Sequence, residues 1–543
     1  MRYLTLAAAA LCCASVSAQS ALDAMTASKT QLRGTARYLS MGGAFGALGG
    51  DLSTLNQNPA GIGVYRSSEV GATLDIDFQR YTMMNTGSDP YTHTQTRAAC
   101  NNFGYVGSIY TGSSLMPYFT WGASYNRINS FERYYRGYFP QLTSSWTNWA
   151  ASVSDGYSAS DLEGTDSYDP YFGSKLGWTS ILAYNCLLIN PNPNGASNSY
   201  VGLWGNGTYG DSQVEVREKG YVDEYSINFG GNFQNTVYWG LAFGITDLSW
   251  SRQTYYDEQL KNAYIPLDAS SSTELVQGKA TVPINNYQSV SGTGFNMKFG
   301  VIIKPINEFR IGLAVHTPTW YHTTYQTNAW CDYRLQGNGF SYDYDTPKFN
   351  SYSETGTSTW DMNYRAPWRL MASAAGVIGG RFIISADYVY EAYKDMNYSD
   401  DWGSLDDIKS DIKQYYNNTS ELRLGAEFRV TPNWSVRAGY DFKSAPSTQE
   451  ARLADEYIYT TGTQSMCEFD NKKQDVTCGI GYRTGGFYVD AAFVHSEQKS
   501  DWYAYTTFPA SAGYELSADQ DRAPHATINN VHNRLVLSLG FKF

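Results

Sequence analysis

Several residue groups in this chain have the types that chemistry needs. The run Gly42-Gly43-Ala44-Phe45-Gly46-Ala47-Leu48-Gly49-Gly50 has the glycine density of a phosphate-cradling loop. It lacks the Gly-Lys-Ser/Thr ending that brings a cation to the phosphates, and no preceding parallel strand is evident, which argues against nucleotide binding. Asp521 and His525 share one loop with Ser511 and Ser517, the residue types of a hydrolase, but no nucleophile motif surrounds either serine and a solvated polar loop is the better reading. Asp343 and Asp345 are a Ca2+-catching pair without a twelve-residue calcium loop. His93, His316, His322, His495, His525 and His532 form no axial pair for haem. The expectation is a protein that is not an enzyme and holds no cofactor or metal.

The wider composition sets the class. MRYLTLAAAALCCASVSAQS reads as a secretory leader over residues 1–18: Arg2 gives the positive start, Leu4 to Ala14 the short apolar run, and Val16-Ser17-Ala18 the cleavage site. Cys12 and Cys13 lack the spacing of a lipid-attachment site. Removing Arg2 leaves 38 basic residues (39 − 1) against 51 acidic ones, a net charge of −13, so nucleic acid is excluded as a partner. No later segment has about 18 unbroken apolar residues, so no membrane helix is expected. Five cysteines remain, Cys100, Cys186, Cys331, Cys467 and Cys478. They are scattered and without metal spacing, and read as buried or idle thiols with at most one disulfide.

From Ser67 onward the pattern has period two. Val70, Ala72, Leu74, Ile76 and Phe78 alternate with Glu69, Gly71, Thr73, Asp75, Asp77 and Gln79. The split recurs where Leu422, Leu424, Ala426, Phe428 and Val430 oppose Arg423, Gly425, Glu427 and Arg429, and again across Trp434–Phe442 and Phe382–Tyr390. Successive strand side chains face opposite ways, so these are amphipathic strands. Strands of about ten residues with charge and glycine on the polar face suit a barrel in lipid, apolar side outward, better than a soluble sandwich. Aromatic residues near strand ends, as in YNRINSFERYYRGYF, suit the interfacial girdles. RLVLSLGFKF puts Leu535, Leu537, Leu539, Phe541 and Phe543 on one face.

The expected fold is all-β: a transmembrane antiparallel barrel of about fourteen strands with partly helical extracellular loops. The strands are expected near 67–82, 96–111, 115–135, 213–232, 236–256, 290–305, 308–332, 364–379, 381–398, 420–430, 433–446, 473–484, 486–500 and 530–543, with tight turns at one rim and long loops at the other. Leu142, Trp146, Trp149 and Val153 share one helical face, and LGWTSILAYNCLLI is a second apolar helical segment. In SLDDIKSDIKQYY, Ser404 is a plausible cap, with Leu405, Ile408 and Ile412 on one side.

Ser40-Met41-Gly42-Gly43-Ala44, Gly50-Asp51 and Asn58-Pro59-Ala60-Gly61, followed by a strand, resemble the start of the FadL/TodX family of outer-membrane hydrophobic-compound transporters. Arg365-Ala366-Pro367-Trp368-Arg369-Leu370, Asn433-Trp434-Ser435-Val436-Arg437-Ala438-Gly439-Tyr440-Asp441-Phe442 and Ser444-Ala445-Pro446 add to the likeness. The resemblance implies an N-terminal hatch over residues 19–66 inside a barrel over 67–543, in the outer membrane of a Gram-negative bacterium. It also makes the last strand, ending in Phe543, a signal to the barrel-assembly machinery.

The implied function is passive uptake of hydrophobic or amphipathic molecules, such as long-chain fatty acids, with outer-membrane lipid and lipopolysaccharide as surroundings. Gly42, Gly43, Asp51, Asn58, Pro59 and Gly61 are the hatch and gating candidates. Leu142, Trp146, Trp149 and Val153 are candidates for an outward apolar groove, leading to a second apolar site inside the barrel. Pro117 and Gly122 are candidates for a sideways opening in the third strand. The large insertion at about 136–212 departs from the family. A haem-like cargo, or a secretion partner of the same fold that transports nothing, are the alternatives.

Overall fold

The computed structural model describes residues 20–173, 176–193, 195–268, 271–337, 340–343, 353–400, 403–454, 458–506 and 523–543. The leader, Asp345, Ser511, Ser517 and Asp521 lie outside them.

Fourteen antiparallel strands form the wall. They are β1 (Glu69–Met84), β2 (Tyr91–Tyr110), β3 (Tyr118–Ser130 and Arg133–Phe139), β4 (Tyr209–Phe233), β5 (Val237–Asp268), β6 (Ser271–Ile306) and β7 (Phe309–His316 and Trp320–Cys331). Then follow β8 (Ser358–Arg365 and Arg369–Ile378), β9 (Phe382–Glu391), β10 (Thr419–Arg429), β11 (Trp434–Lys443), β12 (Cys467–Thr484), β13 (Phe487–Tyr503) and β14 (His525–Lys542). Neighbours in sequence pair in space, and β1 pairs with β14 from Glu69↔Lys542 to Met84↔Thr527. Ser68 and Phe543 exchange backbone hydrogen bonds of 3.0 Å at the foot of that closure. A closed ladder leaves no backbone edge to meet hydrocarbon.

The alternation decides which face meets lipid. On β1, Leu74, Ile76 and Phe78 are exposed while Thr73, Asp75, Asp77 and Gln79 are buried. On β10, Leu422, Leu424 and Phe428 point out and Glu421, Arg423 and Glu427 point in. Leu535, Leu537, Leu539 and Phe541 continue the outward band on β14. An exposed apolar belt around a charged interior is the reverse of a water-soluble protein.

One rim has tight turns. Gly379 and Gly380, at φ 57° and 64°, join β8 to β9 in a conformation that side-chain-bearing residues rarely adopt. On the other side β5 and β6 run to 32 and 36 residues, far beyond the expected 236–256 and 290–305. At about 3.3 Å per residue this hairpin overshoots the roughly 30 Å hydrocarbon layer and stands outside it. Strands expected as continuous are broken at Phe131-Glu132 in β3, at Thr317-Pro318-Thr319 in β7 and at Ala366-Pro367-Trp368 in β8; in the last two, proline has no N–H for the ladder.

The outer loops carry the helices α4 (Trp146–Ser154), α5 (Trp178–Asn185) and α6 (Asp406–Tyr415), with shorter helical turns at Ala159–Leu162, Pro170–Gly173 and Gln449–Leu453. Ile408 and Ile412 are buried as the helical pattern predicts. Ser404 is not the cap of α6; the cap position is Leu405, which makes no side-chain cap bond, and Ser404 Oγ instead donates to Asn397 at 3.1 Å.

Candidate functional site

Residues 20–66 fold into α1 (Ala21–Ser28), α2 (Ala36–Ser40), α3 (Thr54–Gln57) and a 3-10 turn, Pro59–Val64. Their partners come from almost the whole circumference of the wall, so the segment lies in the lumen. Thr120 on β3 donates to Ile62 O at 3.0 Å. Arg310 on β7 donates to Leu48 O at 2.8 Å. Asp387 on β9 accepts from the N–H groups of Phe45 and Gly46 at 3.0 and 2.8 Å. Ser538 on β14 accepts from Ala36 N at 2.7 Å. Arg37 donates to Glu427 on β10 at 3.0 Å, and Glu427 also accepts from Arg437 on β11 at 2.6 Å.

The glycines at this contact leave room for backbone against backbone. A Cβ on Gly42 would stand 2.7 Å from Tyr440 N, and one on Gly300 would stand 1.9 Å from Asn58 Oδ1. Asn58 also ties its own turn, with Nδ2 donating to Gly46 O at 2.6 Å and Oδ1 accepting from Ala60 N at 3.1 Å. Pro59 O lies against Gly240 of β5. Gly43 sits at φ 75°, and Gly61 O accepts from Gly50 N at 3.1 Å. Asp51 holds the segment to itself, its carboxylate accepting from Thr35 Oγ1 at 2.7 Å and Ser53 N at 2.9 Å.

Beside this segment the lumen is polar. A void of about 140 Å³ is lined by Lys29, Arg33, Asp77, Arg133, Asp470 and His532, among others. A second, of about 130 Å³, has Glu224, Lys298, His316, Arg369, Glu391 and Arg423 in its wall. These two voids carry charged side chains from the inward strand positions beside apolar ones such as Met25, Phe131 and Val222.

A bidentate pair closes the lumen toward the outside. Arg133 on β3 donates to Glu468 on β12 at 2.7 and 2.6 Å, although β2, β1, β14 and β13 separate the two strands along the wall. Arg133 also donates to Glu218 on β4 at 2.7 Å, and Arg252 on β5 reaches the other oxygen of Glu218 at 2.8 Å. The cluster lies outward of the apolar band, which on β4 ends at Tyr225. Burial raises the carboxyls of Glu468 and Glu218, but Arg133 with Lys29 and Ser500 at Glu468, and Arg133 with Arg252 at Glu218, together outweigh it and hold both below the usual range.

Above the latch the mouth is filled by an apolar core. Leu142, Trp146 and Trp149 join Tyr81, Tyr135, Phe139, Trp502 and Tyr505, with Val153 packed against them. Trp146 is 1% exposed and Trp149 2%, so the groove candidates form a closed core and line no open groove in this conformation. An amphipathic helix has the same spacing for either role. Glu258, fully buried, fixes α4 from below: its carboxylate accepts from Trp146 N at 2.8 Å, from Tyr256 OH at 2.9 Å and from Ser145 Oγ. Among the described residues no cation pairs with it, and burial pushes it up to about 7.

The wall itself is incomplete between β2 and β3. Their ladder runs only from Tyr110↔Tyr118 to Asn102↔Asn126. Farther out β2 still pairs with β1 as far as Met83↔Tyr91, and β3 with β4 as far as Phe139↔Ser212. The break begins after Asn126, where the register of β3 shifts between Arg127 and Asn129, and it runs on past the interruption of β3 at Phe131-Glu132; side chains seal it. Arg97 meets Glu132 at 2.6 Å, Gln95 Nε2 donates to Glu132 O at 3.1 Å, and Arg136 lies 3.9 Å over the Tyr91 ring. Glu132, Arg133 and Glu218 border both the lumen void and a polar hollow on the outer face of the seam.

The lateral-opening candidates are elsewhere. Pro117 sits in the turn before β3, its carbonyl accepting from Thr111 N at 3.0 Å. Gly122 lies in unbroken ladder, opposite Val106 on one side and Asn228 on the other. The seam residues Arg97, Glu132 and Arg133 escaped the sequence reading; the lapse in alternation at Phe131-Glu132-Arg133, inside a stretch taken for aromatic girdle, was their only local signal.

A closed wall, an outward apolar belt and tight turns at one rim decide the class. The chain is an outer-membrane barrel. Its fold is similar to that of a Pseudomonas aeruginosa FadL homologue (13% identity, covering 95% of this chain and 99% of that one, TM-score 0.48). It is also similar to the P. putida toluene transporter TodX (12% identity, 94% and 98% covered, TM-score 0.42) and the Ralstonia pickettii toluene transporter TbuX (13% identity, 94% and 98% covered, TM-score 0.41). No protein-family model matches the chain, and no curated protein does.

Proposed function

We propose that the protein is a passive channel for hydrophobic or amphipathic small molecules, long-chain fatty acids being the cargo to test first. One observation carries the reading: an apolar core fills the mouth directly above a charged, blocked lumen, beside a wall seam sealed only by side chains. A molecule admitted at the mouth has no straight path, and its way onward is sideways, at the outer edge of the lipid. Moving apolar surface into water costs roughly 25 cal/mol per Å², so a route from apolar core to lipid avoids most of that barrier. The indole N–H groups of Trp149 and Trp502 are buried without a hydrogen-bond partner among the described residues. Donors in an apolar site favour a cargo with one polar end.

In this reading residues 1–18 are the leader, 19–66 the hatch and 67–543 the barrel. Gly42, Gly43, Asp51, Asn58, Pro59 and Gly61 keep the hatch seated, Leu142, Trp146, Trp149 and Val153 rearrange to admit cargo, and the strand ending in Phe543 addresses the assembly machinery. Uptake of a radiolabelled long-chain fatty acid is expected to fall in a deletion strain and return with the wild-type gene. Equal uptake in both strains refutes the cargo.

A further inference from the structure

Two of the five remaining cysteines, far apart in sequence, meet in space. Cys186 ends α5, its N–H donating to Leu182 O at 3.0 Å; Cys331 ends β7, its N–H donating to Ser353 O at 2.8 Å. Both are 0% exposed free thiols in the same apolar core at the mouth, and burial together with the neighbouring Cys186 thiol raises that of Cys331. Tyr171 packs in the same core. The other three cysteines have no such partner position. Cys100 and Cys478 are exposed on β2 and β12, strands separated by β1, β14 and β13, and Cys467 is buried in a different cluster.

A buried thiol behaves as a small hydrophobe and its S–H is only a weak donor, so this core accepts either two thiols or a disulfide. A disulfide removes both donors and adds no polar atom. It also suits the compartment: a chain exported beyond the inner membrane meets oxidising conditions, where disulfides form and persist.

We propose that Cys186 and Cys331 form a disulfide in the exported protein, stapling the β3–β4 insertion to the outer end of β7. The chemistry is thiol–disulfide exchange with an exported thiol oxidase. One cysteine thiolate attacks the oxidase disulfide to give a mixed disulfide, and the second then displaces the oxidase sulfur. The Sγ–Sγ bond forms, and two electrons and two protons leave with the oxidase as its dithiol. Because both sulfurs are fully covered once the mouth core is packed, oxidation precedes that packing, and the finished bond is shielded from reductant. The staple fixes α5 to a strand anchored in the wall, so the apolar lid moves, if it moves, by α4 and not by lifting as a whole.

The test uses the full-length protein in isolated outer membranes. Acid-quenched membranes are denatured and alkylated with iodoacetamide, then reduced and treated with N-ethylmaleimide, and the peptides are read by mass spectrometry. The expected result is N-ethylmaleimide on Cys186 and Cys331 and iodoacetamide on Cys100, Cys467 and Cys478. Iodoacetamide on Cys186 and Cys331, or a non-reduced peptide pairing either with another cysteine, overturns the proposal. In Cys186→Ser, Cys331 should take iodoacetamide and protease cleavage within 176–193 should speed up roughly tenfold. Cleavage unchanged, in a variant whose barrel still shows heat-modifiable gel mobility, overturns the stapling role.

Discussion

The Arg133 guanidinium on the third strand holds the Glu468 carboxylate on the twelfth through two hydrogen bonds, across the lumen and above the N-terminal segment. Ser500 Oγ donates to the same carboxylate, and Glu218 occupies the remaining face of Arg133. The result is a buried ion cluster between the apolar mouth and the polar lumen.

Breaking one side of that cluster leaves the other buried and uncompensated. Glu468→Ala is expected to cost about 3–5 kcal/mol locally. It should open the lumen above the N-terminal segment, seen as larger single-channel conductance in planar bilayers. Arg133→Lys keeps the charge and loses the fork, and should fall between wild type and Glu468→Ala. Identical conductance in all three would show that the pair does not close the lumen.

The pH response of the mouth follows from Glu258. Its folded pKa, about 7, lies above its ordinary value of 4.5. A raised carboxyl binds more protons folded than unfolded, so the stability it gives is complete below pH 4.5 and is lost as pH rises to about 7. The loss is about 3 kcal/mol, levelling off above that. Hydrogen-exchange protection factors in residues 146–154, taken against the base-catalysed intrinsic rate at each pH, should therefore be lower at pH 8 than at pH 5. Glu258→Gln should flatten the difference in protection factor, and a wild type whose protection factors are the same at both pH values contradicts the assignment.

Much of the wall was legible in the sequence, because a strand's two faces are written two residues apart. Leu74 and Asp75 declare opposite environments by themselves, and their registers with Leu537 and Val536 follow from closure. Contacts between distant residues carry no such local mark. Arg133 and Glu468 are 335 residues apart, and nothing near either names the other. The β2–β3 seam is a failure of pairing, and pairing is a property of two strands. Leu142, Trp146 and Trp149 show the reverse case: the periodic face was read correctly, but a helix packing a core and a helix lining a groove carry the same face. Pro318 and Pro367 were visible, yet whether proline bends a strand or ends it depends on the neighbour that would have received its N–H.

The fit of the N-terminal segment rests on glycines facing it from the wall. Gly300→Val would drive side-chain carbons into Asn58 Oδ1, where even a Cβ would lie at 1.9 Å. Overpacking of this kind costs about 1–3 kcal/mol or more, and the segment is the part able to move. The expected result is a barrel of normal heat-modifiable mobility whose residues 40–60 have become open to protease. Gly376→Ala, where the nearest atom is Ile384 Cγ1 at 3.4 Å, serves as the neutral comparison. Equal protection in the two variants would mean that Asn58 does not seat the segment against β6.

The seam between β2 and β3 separates transport from stability. Arg97 is half exposed and Glu132 a quarter, so their 2.6 Å ion pair is screened and contributes less than about 1 kcal/mol. Arg97→Ala with Glu132→Ala should leave thermal unfolding almost unchanged. It also removes the charged contact across the outward end of the seam, while Gln95 Nε2 still reaches the Glu132 backbone oxygen. If cargo leaves sideways, a looser seam speeds its release into the outer leaflet, and fatty-acid uptake should rise several-fold with no matching rise in ion conductance, since the lumen latch at Arg133 and Glu468 is intact. A rise in conductance without a rise in uptake would instead make the seam a leak into the lumen, and would leave the sideways route without support.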